Sequence, residues 1–223
     1  MYLPPAFRED RIEVLHALIR EIVFSTLVSA TSEGGVEVTH LPLLLDPEPA
    51  PFGTLLGHLA RANGHVRALA RAREAVAIFL GPEAYVSPSF YPSKRAHGRV
   101  VPTWNYVAVH ATGPVELVEE PGELLELVRR LTEQQEGARE EPWAVGDAPD
   151  DFVAAQLRGI VGLRLRIHRI EGKLKLSQNR PAADRQGVAA GLAASAAADD
   201  RAMAACMRAL APVRTPTEGE GGT

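Results

Sequence analysis

Three sets of residues in this 223-residue chain have types and spacings suited to chemistry. The first is Thr39-His40 together with His58, Arg61 and Asn63, the last three within the run Gly57-His58-Leu59-Ala60-Arg61-Ala62-Asn63. Donors beside a guanidinium, at a junction of strand and helix, suit a phosphate. The first N–H groups of a helix are unpaired and carry partial positive charge, and arginine adds a cation able to bind two oxygens at once. Capping of a helix would use the same residues, and spacing alone leaves the two readings level. The second set is aromatic: Tyr85, Phe90, Tyr91, Trp104 and Tyr106. Their faces can stack on a planar ring, although filling a core or a subunit interface is the commoner use of such side chains. The third set is cationic. Ser87, Ser89, Ser93, Lys94 and Arg99 suit an anion or a solvated loop, and Arg164, Arg166, Arg169, Lys173 and Lys175 recur along one segment. A basic strip of that kind meets a phosphate, a nucleic acid or an acidic partner, or faces water on an edge strand.

Standard catalytic signatures are absent. The chain has neither common glycine-rich phosphate loop, no H-E-x-x-H and no G-x-S-x-G. His40, His58, His65, His97, His110 and His168 are scattered. Pairs of them on one sheet face could ligate a metal, but nothing in their spacing demands it, and a hydrogen-bonded structural role is the commoner one. Cys206 is the single cysteine, which excludes an intramolecular disulfide and a thiolate zinc cluster.

Hydrophobic periodicity gives the elements that must position these residues. Ile12, Leu15, Leu18, Ile19 and Ile22 recur at helical spacing and predict a helix over 8–22 with Asp10 as its N-cap. Residues 24–31 and 36–45 read as a hairpin about Glu33-Gly34-Gly35, with Pro42 placing that end at an edge or a bulge. A third strand is expected over 53–59, a short helix over 60–72 and a buried strand over 74–80. Residues 84–113 are too aromatic for a disordered linker and too broken by proline for a helix. They predict a site-bearing loop on a β scaffold, with strands over 105–118. Helices follow over 121–136 and 150–157, strands over 160–170 and 173–179, and an alanine-rich helical segment in two pieces over 180–210. Residues 211–223 are expected to be disordered. Strands joined by short turns dominate the first half, which predicts one α+β domain over 1–210, a barrel with peripheral helices in preference to an open sheet.

Composition narrows the function. Apolar residues make up 46% of the chain, enough for a sizeable core. A net charge of −4 supplies no general electrostatic drive toward nucleic acid. The first residues lack the basic and apolar regions of a signal peptide, and no apolar run is long enough to span a bilayer. With the single cysteine, the cytoplasm is the expected location and no membrane partner is expected.

Seven motifs, in order, resemble one family. They are Met1-Tyr2-x-Pro4-x-x-Phe7; Thr39-His40-Leu41-Pro42; Gly57-His58-x-Ala60-Arg61-x-Asn63; and the run from Ala84-Tyr85-Val86-Ser87-Pro88 to Ser89-Phe90-Tyr91. Then come Val101-Pro102-Thr103-Trp104-Asn105-Tyr106 with Val109-His110 and Gly113, Ile170-Glu171-Gly172-Lys173-x-Lys175-Leu176-Ser177-Gln178-Asn179, and Asp184-x-x-Gly187-Val188. Together they resemble the PaiB family of FMN-binding negative transcriptional regulators, over residues 1–192. The resemblance implies an antiparallel FMN-binding split β-barrel, related to pyridoxamine-phosphate oxidase, that works as a homodimer with FMN at the subunit interface. It implies FMN-phosphate contacts from Thr39, His40, His58, Arg61 and Asn63. It implies ring contacts from Trp104, Asn105, Lys173, Lys175, Ser177, Gln178 and Asn179. Phe90 stands where the family pattern has Trp, and residues 95–99 form a basic insert.

The expected function is therefore an FMN-binding repressor without catalytic residues or a metal. The sequence shows no helix-turn-helix pattern, so action through a partner stands beside direct DNA contact. Two other readings remain open on the same scaffold. One is a flavin- or haem-dependent oxidoreductase, with His40 or His110 as axial ligand for haem. The other is a cofactor-free dimer that has kept only the fold.

Overall fold

The computed structural model describes residues 1–210; the tail expected to be disordered, 211–223, lies outside the described residues. The chain runs β1 (Arg8–Glu9), α1 (Ile12–Ile22), β2 (Phe24–Ala30), β3 (Val36–Pro42), β4 (Leu44–Asp46), β5 (Thr54–Ala60) and α2 (His65–Leu69). It continues β6 (Ala75–Val86), α3 (Ser93–His97), β7 (Thr103–Gly113), β8 (Val115–Val118), α4 (Pro121–Glu136) and α5 (Asp150–Arg158). The last elements are β9 (Ile160–Arg166), β10 (Arg169–Lys175), α6 (Ala182–Ala193) and α7 (Ala198–Leu210). One sheet has the order β1–β10–β7–β6–β2–β3 and the other β4–β5–β9–β8. This is the expected α+β split barrel with peripheral helices.

Local chemistry explains the boundaries that differ from expectation. Glu9 accepts the Arg11 backbone N–H at 2.9 Å and its guanidinium at 2.6 Å, which holds the chain extended there. Hence α1 begins at Ile12 and Asp10 is not its cap. The single strand expected over 36–45 is two. Pro42 lacks an N–H for the ladder, β3 ends on it, and β4 joins the other sheet. The helix expected over 60–72 shrinks to the five residues of α2, because β5 continues to Ala60.

The chain divides into two compact units. The first holds Glu9–Gly81 and Ala108–Gly172. In it β2 lies between β3 and β6, with Thr26 opposite both His40 and Ile78, and Val28 opposite both Val38 and Val76. Successive strand residues face opposite sides. Ser25, Leu27 and Ser29 are therefore buried, along with Leu41, Ala77 and Phe79. The other face is apolar and open: Phe24 is 60% exposed, Val36 65%, Val38 51% and Leu80 65%.

The four-stranded sheet buries Leu55, Leu59, Leu163 and Leu165 on one side and receives α4 on the other. Pro121 in the first turn and a stripe of Leu124, Leu127 and Leu131 make α4 match its sequence expectation at both ends. Leu56 packs against Leu127 and Leu131, and ion pairs Arg130–Asp46 (2.9 Å) and Arg164–Glu123 (2.7 Å) tie the helix down. Gly113 ends β7 so close to the Arg166 carbonyl that a β-carbon would overlap it.

The second unit holds Tyr2–Arg8, Pro82–Val107 and the residues from Lys173 onward. Here α6 and α7 bury Val188, Leu192, Met203 and Ala204. The Phe90 carbonyl and ring press on α6 at Gly187 and Gly191, where any side chain would collide. Asp184 on α6 accepts the Ser93 N–H at 3.1 Å and hydroxyl at 2.6 Å. Residues 84–102 are thus pinned to a helical pair, with the short α3 inside a segment expected to be loop throughout.

Candidate functional site

The second unit gathers cations around aromatic rings. Lys173 on β10 is only 7% exposed. Its Nζ donates to the Tyr2 carbonyl at 3.0 Å and stands 5.5 Å and 5.2 Å from the ring centres of Tyr2 and Tyr106. Lys175, two residues on, donates to Thr103 Oγ1 at 2.6 Å and lies 6.0 Å from the Tyr106 ring. Neither amine has a carboxylate partner among the described residues. Partial burial, then the charges of Lys173 and Arg180, hold the Lys175 amine below the usual lysine range. Arg180 sits 5.1 Å from the Tyr91 ring centre. The nearby acid, Asp184, is engaged by Ser93, whose hydrogen bonds hold its carboxyl low. Buried cations without anions are costly, and an anionic ligand would relieve that cost. Trp104 is half-exposed and meets Tyr85 edge-on, centroids 6.1 Å apart.

Three of the expected ring contacts instead brace this cluster. Asn105 is fully buried; its Nδ2 donates to Ser177 Oγ at 3.0 Å and to Met207 Sδ at 3.5 Å, and the Ser177 hydroxyl returns a bond to its Oδ1 at 3.1 Å. Ser177 holds a φ of 64°, a left-handed conformation that costs a non-glycine residue about 1–2 kcal/mol. Gln178 accepts the Leu176 N–H at 2.7 Å and donates to the Leu174 carbonyl, closing the turn. Asn179 is exposed. Asn105→Ala strips the turn of its brace and leaves the Ser177 hydroxyl unpaired. A loss of about 1–3 kcal/mol is expected, read as a lower denaturation midpoint with unchanged slope.

In the first unit the expected phosphate contacts occupy separate places. Thr39 points to the buried side of β3, where its Oγ1 lies 2.8 Å from His65 Nδ1 and accepts Asn63 Nδ2 at 3.2 Å. The Nε2 of His65, which is fully buried, is 3.0 Å from Ser29 Oγ, and the His65 backbone N–H donates to Asn63 Oδ1 at 2.9 Å. Thr39 and Asn63 therefore meet through His65. His40, the next residue after Thr39, faces the open side, 3.0 Å from Thr26 Oγ1 and stacked on Phe24 at 6.5 Å. His58 lies on the other sheet opposite Gly162, with a buried Nδ1 that has no hydrogen-bond partner. Arg61 is fully engaged: it pairs with Glu119 at 2.5 Å and donates to the carbonyls of Arg158 (3.2 Å) and Ile160 (3.1 Å). The five do not converge on one point.

Burial holds the imidazoles of His58, His65 and His110 below their ordinary 6.5. At His110 the Met1 amino group and Arg169 act in the same direction, and Glu171 opposes them. A histidine kept neutral in the native state takes no proton while the unfolded chain does. Stability is therefore full above 6.5 and declines as pH falls through that value toward the native pKa values. The melting temperature is expected to drop between neutral pH and mild acid, and His65→Gln should flatten that dependence.

Two arginines of the basic strip are neutralised. Arg164 bridges Glu116 and Glu123, Arg169 pairs with Glu171, and the two lysines belong to the cluster above. Among the described residues no group of His, Cys, Asp and Glu could hold a metal, and no helix is long and apolar enough to cross a membrane.

Comparison with known proteins adds four findings. A family model described as "Putative FMN-binding domain" matches residues 1–169. An uncharacterised protein of Aspergillus fumigatus is 33% identical over 86% of this chain and 90% of its own length. Protease synthase and sporulation protein PAI 2 of Bacillus subtilis is 32% identical over 84% of this chain and 87% of its own. Among solved structures, the FAD and heme binding protein of Mycobacterium smegmatis superposes with a TM-score of 0.58 at 18% identity, covering 82% of this chain and 80% of that one. At that identity the likeness is one of fold.

Proposed function

The chain belongs to the PaiB family of FMN-binding proteins, and from that premise we propose that it is a homodimeric, FMN-binding regulator of transcription. The observation that supports the ligand is the group of Lys173, Lys175 and Arg180, whose neighbouring carboxylate Asp184 is already engaged by Ser93. Such a group fits a phosphate, and the exposed ring of Trp104 fits a planar partner. FMN supplies one- and two-electron redox chemistry when bound. Lys173 and Lys175 hold its phosphate, and Trp104 with Tyr85 flanks its ring. Asn105, Ser177 and Gln178 fix the turn that presents the lysines, and Asn179 is free at its surface. Thr39 and Asn63 act through His65, while Arg61 holds the start of β9.

The dimer reading is supported by the open apolar face of β2, β3 and β6, on which His40 and Thr26 also stand. Action through a partner, not direct DNA contact, is supported by the net charge of −4 and by the ion pairs of Arg164 and Arg169. Salt-dependent binding of the purified protein to promoter fragments would reverse that preference.

Titration with FMN and with riboflavin, followed by visible absorbance, tests the ligand. FMN is expected to bind at least about tenfold more tightly, the phosphate supplying charge-assisted hydrogen bonds. Equal affinities would remove the lysines from the reading. NAD(P)H oxidation in the same cuvette would move the protein from regulator to reductase, and a Soret band would move the cofactor to haem.

A further inference from the structure

Only three of the 24 Lys and Arg residues in this chain are lysines: Lys94, Lys173 and Lys175. Two of the three stand in the cluster described above, where arginine would hold a phosphate at least as well through its planar fork. Lysine offers what arginine cannot, an amine able to give up its proton and attack carbon. The surroundings of Lys175 favour that use. It is half-buried, lacks a carboxylate partner among the described residues, has a second lysine two residues away, and donates to a hydroxyl, Thr103 Oγ1, at 2.6 Å. Desolvation and the neighbouring cations shift it toward the neutral amine. Lys94 differs in being exposed on α3, with its Nζ 3.1 Å from Ser89 Oγ.

We propose that Lys175 is a carbonyl-reactive amine that forms an imine with an aromatic aldehyde bearing an anionic group. Lys173 attracts the anion. The neutral Nζ of Lys175 attacks the carbonyl carbon; a C–N bond forms as the carbonyl pair moves to oxygen, which takes up a proton. The nitrogen loses its two protons in turn, the hydroxyl takes up a second proton and leaves as water, and the C=N bond results. Thr103 relays the proton between nitrogen and oxygen, and no oxidant or reductant enters the step. The inference rests on the same cation group as the flavin reading, and the two are separable by experiment.

The test treats the full chain with 4-carboxybenzaldehyde and cyanoborohydride at neutral pH, which reduces any imine to a stable amine, and maps adducts by peptide mass spectrometry. Lys175 is expected to label about tenfold or more faster than Lys94, an effect of its larger neutral fraction and of anion capture. Uncharged benzaldehyde should lose much of that preference. Lys175→Arg should remove the fast adduct and leave Lys94 labelling as before. Thr103→Val should slow labelling at Lys175 without altering its response to anions. Labelling of Lys175 no faster than Lys94, or the same preference for the charged and uncharged aldehydes, overturns the proposal. Parallel FMN titration separates the readings. Fast labelling without flavin binding keeps this inference and removes the flavin reading; flavin binding with slow labelling does the reverse.

Discussion

Replacing Lys173 and Lys175 together by alanine will abolish FMN retention while leaving the fold intact. Each amine is expected to contribute a charge-assisted hydrogen bond to the phosphate, and each such bond amounts to about 1.5–3 kcal/mol. The singles should each weaken FMN about ten- to a hundredfold and the double should bring it into the range of riboflavin. The fold should survive because neither amine anchors a carboxylate among the described residues. Lys173 bonds a main-chain carbonyl near the amino terminus and Lys175 a threonine hydroxyl. Far-UV circular dichroism and the denaturation midpoint check the fold, and absorbance near the flavin maxima checks the ligand. The effect should also carry a pH signature. The Lys175 amine is held below the usual lysine range, so its charge is lost earlier as pH rises. Flavin affinity should therefore fall on the alkaline side before an ordinary lysine would titrate. If the double variant binds FMN like the parent chain, the phosphate lies elsewhere.

In the dimer proposed above, Val38→Glu will convert the protein to a monomer. Val38 is 51% exposed in the single chain, so a carboxylate there costs the isolated fold little. In a dimer built on the β2–β3–β6 face the same carboxylate would be desolvated against Phe24, Val28 or their counterparts without a cation to meet it. Burying an unpaired charge costs several kcal/mol, and a stable interface needs roughly 800 Å² from each partner to tolerate any loss. A shift to the monomer mass in sedimentation at micromolar concentration is the expected readout. Phe152→Glu on α5, at a residue 53% exposed and away from this sheet, should leave the dimer as it was. Should both variants sediment as the parent does, the open face is not the interface.

How much of this was legible in the sequence depends on whether the information was local. Helix α4 was, because Pro121 and the leucines at 124, 127 and 131 specify both its start and its buried stripe. The paired lysines were also legible, as alternate residues of one strand. The grouping of Thr39 with His40 was misleading for the same reason that Lys173 and Lys175 go together. A strand repeats every two residues, so neighbours in sequence face opposite sides. The extent of α2 was not local either. Alanines favour helix over 60–72, but β5 pairs with β9 as far as Ala60 opposite Ile160, and Asn63 caps the chain at His65. The bracing role of Asn105 rests on Ser177, 72 residues away, and no periodicity records that. His65, which unites Thr39, Asn63 and Ser29, was passed over as one scattered histidine. A buried position between polar strand residues was its only signal.

The bond from Asn105 to the sulfur of Met207 joins β7 to α7, a helix that lies beyond the segment matched by the family model. Trp104 is the very next residue, and its indole is half in water. Anything that loosens α7 thus tugs on the strand that carries this indole, one of two in the chain. The protein contains its own optical gauge of whether that helix is docked, and exchange of the last helix between relatives could retune ligand preference without altering one residue that touches the ligand.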